Sequence, residues 1–179
     1  MSRIISKVDT ESAAYRQNFA DMSERVKTLR ERLHQARYER PQRDIDRLQK
    51  SKKLTVRERL DLLLDPGTPF LELSALAANR AYGGDVHGAG QVSGIGIIHG
   101  REVIIHADDP SIKGGAWYPL SVKKIIRTLD IAIENRLPVI HLCDSAGGFL
   151  PLQADLFPDR YTAGRILRNQ CTLDRKSVV

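Results

Sequence analysis

The stretch "LPVIHLCDSAGGFLP", residues 137–151, joins an apolar run to a loop of small residues. A short apolar run bounded by a proline and by glycines is typical of a core strand. We therefore predict a buried parallel strand over residues 138–143, followed by a turn at 146–148 that leads directly into a helix. Such a loop brings backbone amide groups within reach of a ligand, because small residues allow close approach.

The segments before this stretch predict a βαβ unit. Residues 91–109, "QVSGIGIIHGREVIIHADD", alternate as a hairpin does, with the turn near 99–101. Gly94 and Gly96 inside a strand indicate that another part of the chain approaches closely. Apolar residues then recur with helical period over about 119–135. Strand, helix and strand in this order predict a parallel sheet with a right-handed crossover.

Two glycine-rich segments follow successive strands: "KGG", residues 113–115, and "AGG", residues 146–148. Ligands of parallel sheets bind at the carboxyl ends of the strands, so we expect the two segments to share one cleft. Lys113 beside two glycines could meet a phosphate, although an exposed lysine on a turn explains it as well.

The side chains near these loops include no obvious general acid or base. Ser145 matches only the second half of the G-x-S-x-G nucleophile pattern, and a plain turn residue is the alternative interpretation. Asp108 and Asp109 are adjacent, so their side chains should diverge. No carboxylate pair or histidine cluster has metal-ligand spacing, and we expect no metal. A loop of backbone amides, by contrast, can stabilise the oxyanion of a thioester enolate without any reactive side chain.

Residues 1–50 form what we call the N-terminal arm, which we expect to be helical over about 11–38. Its apolar residues share one stripe that could pack on its own domain or on another subunit; they are Phe19, Met22, Val26, Leu29, Leu33 and Ala36. Pro41 interrupts the pattern, and "TVRE" at Thr55 predicts the capping box of a second helix. That helix should stop at the turn Asp65-Pro66-Gly67.

Charge and composition narrow the class of protein. Residues 1–60 hold 16 lysines and arginines against 9 acidic residues, so a basic helical module that binds nucleic acid is one alternative, and a solvated basic face is another. No run of about 18 apolar residues predicts a membrane span, and the N-terminus lacks a signal-like apolar core. Two cysteines without metal spacing favour a reducing, cytoplasmic location. The start of the sequence, in which we see neither a transit nor a signal segment, indicates a location of bacterial type.

Several long blocks resemble one family. The string "KGGAWYPLSVKKIIRTLDIAIENRLPVIHLCDSAGGFLPLQADLFPDR" and the upstream "LTVRERLDLLLDPGTPFLEL" are similar to the β (carboxyltransferase) subunits of biotin-dependent acyl-CoA carboxylases, in the methylcrotonyl-CoA and geranyl-CoA branch. The resemblance covers about residues 15–170. It implies an α/β fold, an incomplete crotonase-like spiral of βαβ units preceded by a helical arm. Residues 51–173 would be part of the N-terminal carboxyltransferase domain, and residues 174–179 would be an atypical tail that does not continue the family pattern.

The resemblance also implies a mechanism. Carboxybiotin, carried by a partner biotin carboxylase and carrier α subunit, would donate the carboxyl group to an acyl-CoA enolate. Backbone amides of Ala146, Gly147 and Gly148 would form the oxyanion hole. The acyl-CoA region would include Lys113, Gly114, Gly115 and Phe149. Family members form homo-oligomers, hexamers in the family.

Two expectations concern differences from the family. Ala146 replaces a family glycine, and alanine does not freely adopt positive φ. Family subunits are also longer, so we expect this chain to be inactive alone. The alternatives are another crotonase-type thioester enzyme, or a serine hydrolase of that superfamily for which Ser145 would be essential.

Overall fold

The computed structural model describes residues 6–174, which contain five α-helices and one four-stranded sheet. The helices are α1 (Ala13–Tyr38), α2 (Gln42–Lys50), α3 (Val56–Leu63), α4 (Pro119–Asn135) and α5 (Ala163–Asp174). The strands are β1 (Leu71–Leu73), β2 (Gln91–Ile98), β3 (Arg101–Asp108) and β4 (Val139–Leu142). None of the helices within 6–174 has both the length and the apolar character needed to cross a membrane.

The sheet is mixed, with the strands in the order β1-β2-β3-β4. The pairs β1–β2 and β2–β3 are antiparallel, and only β3 and β4 run parallel, with Ile105 opposite Ile140. The predicted βαβ unit is present as β3-α4-β4, with the parallel pairing expected for its two strands. The predicted hairpin places β2 and β3 side by side, which reverses the chain direction within the sheet.

The glycines of β2 have the role that the sequence predicts. A Cβ atom built on Gly94 would lie 2.3 Å from Cζ of Phe70 and 2.7 Å from the carbonyl oxygen of Leu71. One on Gly96 would lie 2.2 Å from Cδ2 of Leu64. Leu64 after α3 and Phe70 before β1 can pack directly on β2 because these two positions lack side chains.

Side-chain hydrogen bonds define the start of α3 and anchor the turn that follows it. Thr55 and Glu58 form the predicted capping box at its start. Beyond its end, the carboxylate of Asp65 accepts hydrogen bonds of 2.8 Å from the amides of both His99 and Gly100, in the β2–β3 turn. These two amides lower the pKa of Asp65, and they tie the predicted Asp65-Pro66-Gly67 turn to the hairpin.

The core has one layer on each face of the sheet. On one face, α3 covers alternate residues of the central strands; this cluster contains Val56, Leu60, Val92, Val103, Ile105 and Ala107. On the other face, α4 packs against the sheet and is itself covered by α5; this cluster contains Val122, Ile125, Ile126, Leu129 and Ile166. The alternation of side chains along β3 supplies both layers.

Arginine side chains hold the C-terminal half of the arm on the domain. Arg37 contacts Glu72 at 3.0 Å, and Arg57 contacts the same carboxylate at 2.8 Å. Burial alone would raise the pKa of Glu72, but the hydrogen bond from Arg57 and the two positive charges lower it. Arg47 also donates to the carbonyl oxygen of Pro110 at 2.9 Å.

The helical arm differs from the prediction in two respects. Helix α2 lies between the two predicted helices, where the sequence pattern was interpreted only as an interruption at Pro41. The stripe on α1 packs on the domain only at its end, where Ala36 is buried. Towards its start, Phe19 and Met22 are 62% and 60% exposed. For the N-terminal half of the stripe, packing on its own domain and packing on another subunit therefore both stay predictions.

The region that begins with β4 also departs from the prediction. Each residue of β4 is half-buried rather than buried, because the strand lies at the edge of the sheet. No α-helix follows the glycines directly. A short 3₁₀ segment covers Leu150–Leu156, and α5 begins only at Ala163. Asp174 is the last residue of α5, and the rest of the predicted tail, 175–179, lies outside the described residues.

Candidate functional site

The two glycine-rich segments lie next to each other, as the sequence predicts. We define the first glycine loop as residues 113–118, after β3, and the second as residues 144–149, after β4. The amide of Ala146 donates to the carbonyl oxygen of Gly114 at 3.1 Å. Further along, the amide of Trp117 donates to Gly147 at 2.8 Å, and that of Phe149 donates to Trp117 at 2.9 Å. The loops therefore continue the parallel pairing of β3 and β4 beyond the sheet.

Gly115 makes this close approach possible. Its φ is +73°, and a Cβ atom there would lie 2.3 Å from the carbonyl oxygen of Asp144. Gly147 adopts a φ of +90° in open space. Ala146 is not among the residues with positive φ. The left-handed conformation in the second loop thus falls on Gly147, and alanine at 146 is compatible with the backbone.

The three amides assigned to an oxyanion hole have different partners. The amide of Ala146 is bonded to Gly114, and that of Gly147 donates to Oγ of Ser145 at 3.0 Å. Within residues 6–174, the amide of Gly148 has no hydrogen-bond partner, and the residue is exposed. Gly148 is thus the donor most available to a ligand. The assignment of an oxyanion hole to these amides stays a prediction.

A carboxylate beneath the loops connects them, and sequence reasoning missed this role. The carboxylate of Asp108, at the end of β3, accepts from the indole nitrogen of Trp117 at 2.9 Å and from the amide of Asp144 at 3.3 Å. Burial raises the pKa of Asp108. Its neighbour Asp109 points elsewhere, to Arg40 at 2.9 Å, so the predicted divergence is present.

Two histidines near the site are poor candidates for a general base to Ser145. His106 is 2% exposed; its Nδ1 lies 2.9 Å from Oγ of Ser93, and burial lowers its pKa to about 3. His141 packs edge-on against it with ring centroids 5.6 Å apart, and burial lowers its pKa as well. In the described part of the chain, no histidine hydrogen-bonds Ser145. The geometry therefore gives the serine hydrolase alternative no support.

An aromatic stack borders the second loop. Phe149 lies on Tyr118 with ring centroids 4.5 Å apart, and Tyr118 contacts Tyr82 at 4.7 Å. Ile112 and Val86 pack against these rings. Tyr118 is 4% exposed, so the half-buried ring of Phe149 is the accessible part of this apolar wall beside the amides of the second loop. Phe149 is also the member predicted to belong to the acyl-CoA region.

A basic cleft lies on the other side of Lys113, between the arm and the first loop. Its volume is about 820 Å³. Its basic residues are Arg40, Arg43, Arg47, His87 and Lys113, and its acidic residues are Glu39, Asp44 and Asp85. Lys113 is bonded to Asp85 at 3.1 Å. The excess of basic residues in the arm is visible in the sequence. Only the fold shows that the arm faces the first loop and forms a cleft with it.

The described residues contain no group of three or more histidine, cysteine, aspartate or glutamate side chains that could hold a metal ion. Cys143 and Cys171 are both free and exposed. The chemical groups at and beside the loops are backbone amide donors, an aromatic wall and the positively charged side chains of the basic cleft.

Comparison with known proteins identifies relatives along almost the whole chain. Residues 48–179 match the carboxyl transferase domain family. A probable methylcrotonoyl-CoA carboxylase beta chain, mitochondrial, of Drosophila melanogaster is 45% identical over 174 residues, which are 97% of this chain and 30% of that protein. A biotin-dependent 3-methylcrotonyl-coenzyme A carboxylase beta1 subunit of Mycobacterium tuberculosis is 46% identical over 170 residues, 94% of this chain and 32% of that protein. Because relatives include mitochondrial proteins, the cytoplasmic location stays a prediction.

Solved structures give the same result. The beta subunit of geranyl-CoA carboxylase from P. aeruginosa matches with a TM-score of 0.68 at 34% identity, covering 93% of this chain and 31% of that one. Transcarboxylase 12S, described as a hexamer assembly with methylmalonyl-coenzyme A bound, matches with a TM-score of 0.67 at 27% identity, covering 88% and 30%. The crotonase-like α/β fold class is thus confirmed. The chain spans about 30% of the length of these relatives, and it belongs to the carboxyl transferase family of biotin-dependent acyl-CoA carboxylases.

Proposed function

We propose that this chain provides the acyl-CoA side of a carboxyltransferase site that acts on a methylcrotonyl-CoA-like or geranyl-CoA-like thioester. The observation that carries the proposal is the convergence of the two glycine loops at the ends of β3 and β4. There the amide of Gly148 is unpaired within the described residues, and that of Gly147 is bonded only to a hydroxyl group. These donors suit an oxygen that becomes negatively charged during a reaction.

In this proposal the thioester carbonyl lies against the second glycine loop. The α-proton would pass to the ureido nitrogen that carboxybiotin presents once it has released CO2. The carbonyl oxygen then becomes an enolate oxygen, and the amide of Gly148, unpaired in the described part of the chain, stabilises its charge. The acyl chain would lie along the wall of Phe149 and Tyr118. Carboxybiotin on a partner α subunit would supply the carboxyl group. The hydroxyl group of Ser145 donates to the carbonyl oxygen of Gly115, so in this proposal Ser145 is not the nucleophile.

The basic cleft would receive the phosphate groups of coenzyme A. It lies beside Lys113, so a ligand could extend from the second loop past the first loop into it. Arg43 has a side chain that is 80% exposed, and Arg47 and Lys113 line the same cleft. The acidic residues there reduce the net charge, so we expect moderate rather than tight binding of phosphate. A homo-oligomer, such as the hexamer assembly described for transcarboxylase 12S, belongs to the same proposal.

The test uses a chimera, because the chain covers only about 30% of its relatives. Residues 6–174 replace the matching segment of the Mycobacterium tuberculosis beta1 subunit, and the product formed from methylcrotonyl-CoA and geranyl-CoA with the carboxylated partner subunit is measured by mass spectrometry. We expect a carboxylated acyl-CoA from the chimera and none from the isolated chain. Binding of each acyl-CoA to the isolated chain is followed separately through Trp117, the one tryptophan.

The matched variants are Gly147→Val and Gly100→Val. Both glycines have positive φ, +90° and +72°, and neither has an atom within 4 Å of a built Cβ, so the strain in the two variants is similar. Only Gly147 belongs to the proposed site. Valine keeps its own amide but is strained at a φ of +90°, so it should shift the backbone and displace the Gly148 amide. We expect Gly147→Val to lower kcat roughly 10²–10³-fold with little change in KM, the size of effect seen when an oxyanion donor is lost. Equal kcat values for the two variants, or a folded chimera that neither binds nor carboxylates an acyl-CoA, would refute the proposal.

A further inference from the structure

Ser145 makes one contact that a simple turn residue does not make. Its Oγ donates to the carbonyl oxygen of Gly115 at 2.7 Å, across 30 residues of sequence, and accepts from the amide of Gly147 at 3.0 Å. The second bond is local and typical of a serine in a turn. The first joins the second glycine loop to the first.

The direction of both bonds follows from the chemistry of the groups. A carbonyl oxygen can only accept and an amide N–H can only donate, so the hydroxyl proton must point to Gly115 and a lone pair of Oγ must face Gly147. The hydroxyl group is therefore fixed between the two loops. Its proton is not directed towards a base, which is the opposite of what an activated nucleophile requires.

Neighbouring contacts place Ser145 within reach of Gly115. The absent side chain of Gly115 leaves room for the carbonyl group of Asp144. The side chain of Asp144 is bonded to Lys53 at 2.7 Å, and its amide is bonded to the carboxylate of Asp108. With Asp144 held on both sides, the next residue has little freedom, and Oγ of Ser145 lies opposite the Gly115 carbonyl.

We propose that Ser145 is a positioning residue, whose hydroxyl group couples the first glycine loop to the amide of Gly147 and so directs at the substrate the amide of the next residue, Gly148, which is unpaired within the described residues. The part of this inference that concerns the substrate rests on the proposed function, whereas the coupling of the two loops does not. It replaces the nucleophile interpretation of Ser145 with a role through backbone groups, in which no covalent bond to the serine forms.

Three variants test the role. Ser145→Ala removes both bonds, and because Ser145 is exposed it leaves no cavity. Ser145→Thr keeps a hydroxyl group that can make both. The matched control is Ser12→Ala, since Oγ of Ser12 likewise donates to a carbonyl oxygen, that of Asp9 at 2.9 Å, and accepts from an amide, that of Tyr15 at 3.2 Å. All of those partners lie in the arm.

The first measurement is hydrogen exchange of the Gly147 amide by NMR on the isolated chain, which needs no activity. We expect exchange roughly 10-fold faster or more in Ser145→Ala, near wild type in Ser145→Thr, and unchanged in Ser12→Ala. Unchanged exchange of Gly147 in Ser145→Ala would overturn the proposal.

The second measurement is the split of kcat and KM in the chimera. We expect kcat to fall roughly 10-fold in Ser145→Ala with KM within about threefold, and to recover in Ser145→Thr. Wild-type kcat in Ser145→Ala, or an acyl adduct on Ser145, would overturn the positioning role. If the wild-type chimera is inactive while Ser145→Ala still accelerates exchange, then the proposed function fails and the coupling of the loops stands.

Discussion

At the scale of single residues, glycine matters here for two separate reasons. Gly114 and Gly115 both have positive φ, +68° and +73°, so any other residue would be strained at either position. They differ in surroundings. A Cβ on Gly114 would make an ordinary contact of 3.8 Å with Cβ of Ala146, whereas one on Gly115 would meet the carbonyl oxygen of Asp144 at 2.3 Å. The pair therefore separates the effect of conformation from the effect of contact.

We predict that Gly115→Ala is the more destabilising of the two substitutions. Gly114→Ala should lower the free energy of unfolding by about 1 kcal/mol, the cost of a non-glycine residue in the left-handed region. Gly115→Ala should cost about 1–3 kcal/mol more, because the second loop must move away. Urea denaturation of both variants measures the difference. Equal free energies of unfolding would show that the backbone of Asp144 does not restrict this position.

Buried His106 predicts a pH dependence of stability. Burial, together with the charges of His141 and Lys124, lowers its pKa from 6.5 to about 3. Between these values the unfolded chain binds a proton at His106 that the folded chain does not. The free energy of unfolding should therefore decrease as the pH falls through this window, by up to about 1.4 kcal/mol per pH unit from this group.

His106→Gln should remove that part of the pH dependence, whatever its effect on stability at neutral pH. Urea denaturation from pH 7 to pH 4 gives the slope for each protein. The control is His99→Gln, in the exposed turn between β2 and β3, which should keep the slope of the wild type. A slope in His106→Gln as steep as that of the wild type would contradict the assignment to His106.

At the scale of secondary-structure elements, the arm is held by a buried ion pair. The side chains of Arg40 and Asp109 are 8% and 2% exposed and approach to 2.9 Å. Arg40 also donates to the carbonyl oxygen of Ala36, at the end of α1. This one guanidinium group connects the end of α1 to the residue that follows β3, and so fixes one wall of the basic cleft.

Arg40→Ala should lower the free energy of unfolding by about 3 kcal/mol or more, because it leaves the carboxylate of Asp109 buried without its cation. Arg43→Ala, three residues further along the arm but with a side chain that is 80% exposed, should cost less than about 0.5 kcal/mol. In the double variant Arg40→Ala/Asp109→Asn, the loss should be smaller than the sum of the single losses. Additive losses would indicate that the pair does not act as a unit.

At the scale of the whole molecule, charge is divided between the arm and the domain, and the cleft lies where they meet. Residues 1–60 carry most of the excess positive charge. On the proposed function, a coenzyme A phosphate in the cleft interacts with Arg43, whereas Arg25, exposed on α1, is absent from the cleft lining. Position relative to the cleft, and not net charge, should then decide the effect of a charge reversal.

We predict that Arg43→Glu weakens binding of coenzyme A to the chain about tenfold at low salt, and that Arg25→Glu changes it less than twofold. The difference should largely disappear near 1 M salt, where the screening length falls to about 3 Å. Quenching of Trp117 fluorescence or calorimetry measures the affinity. The same loss in both variants would mean that the effect is one of net charge and that the cleft is not the phosphate site.

The sequence by itself determined the features that depend on neighbouring residues. The period of apolar residues gave α4 its bounds, Pro119–Asn135, and the capping box placed the start of α3. The glycines within β2 indicate, from the sequence alone, that another segment of the chain approaches closely. The family followed from long blocks in order. These features are local because the relevant hydrogen bonds and side-chain periods span only a few residues.

Only the tertiary structure decided which groups meet across the sheet. Ser145 reaches Gly115, Asp108 reaches Trp117 and Asp144, and Arg40 reaches Asp109, each through contacts that no local pattern encodes. The amide of Ala146, predicted as a free donor, has a partner in the first loop for the same reason. The packing of β4 beside β3 places the two loops side by side, and this long-range pairing determines which backbone donors stay available to a ligand.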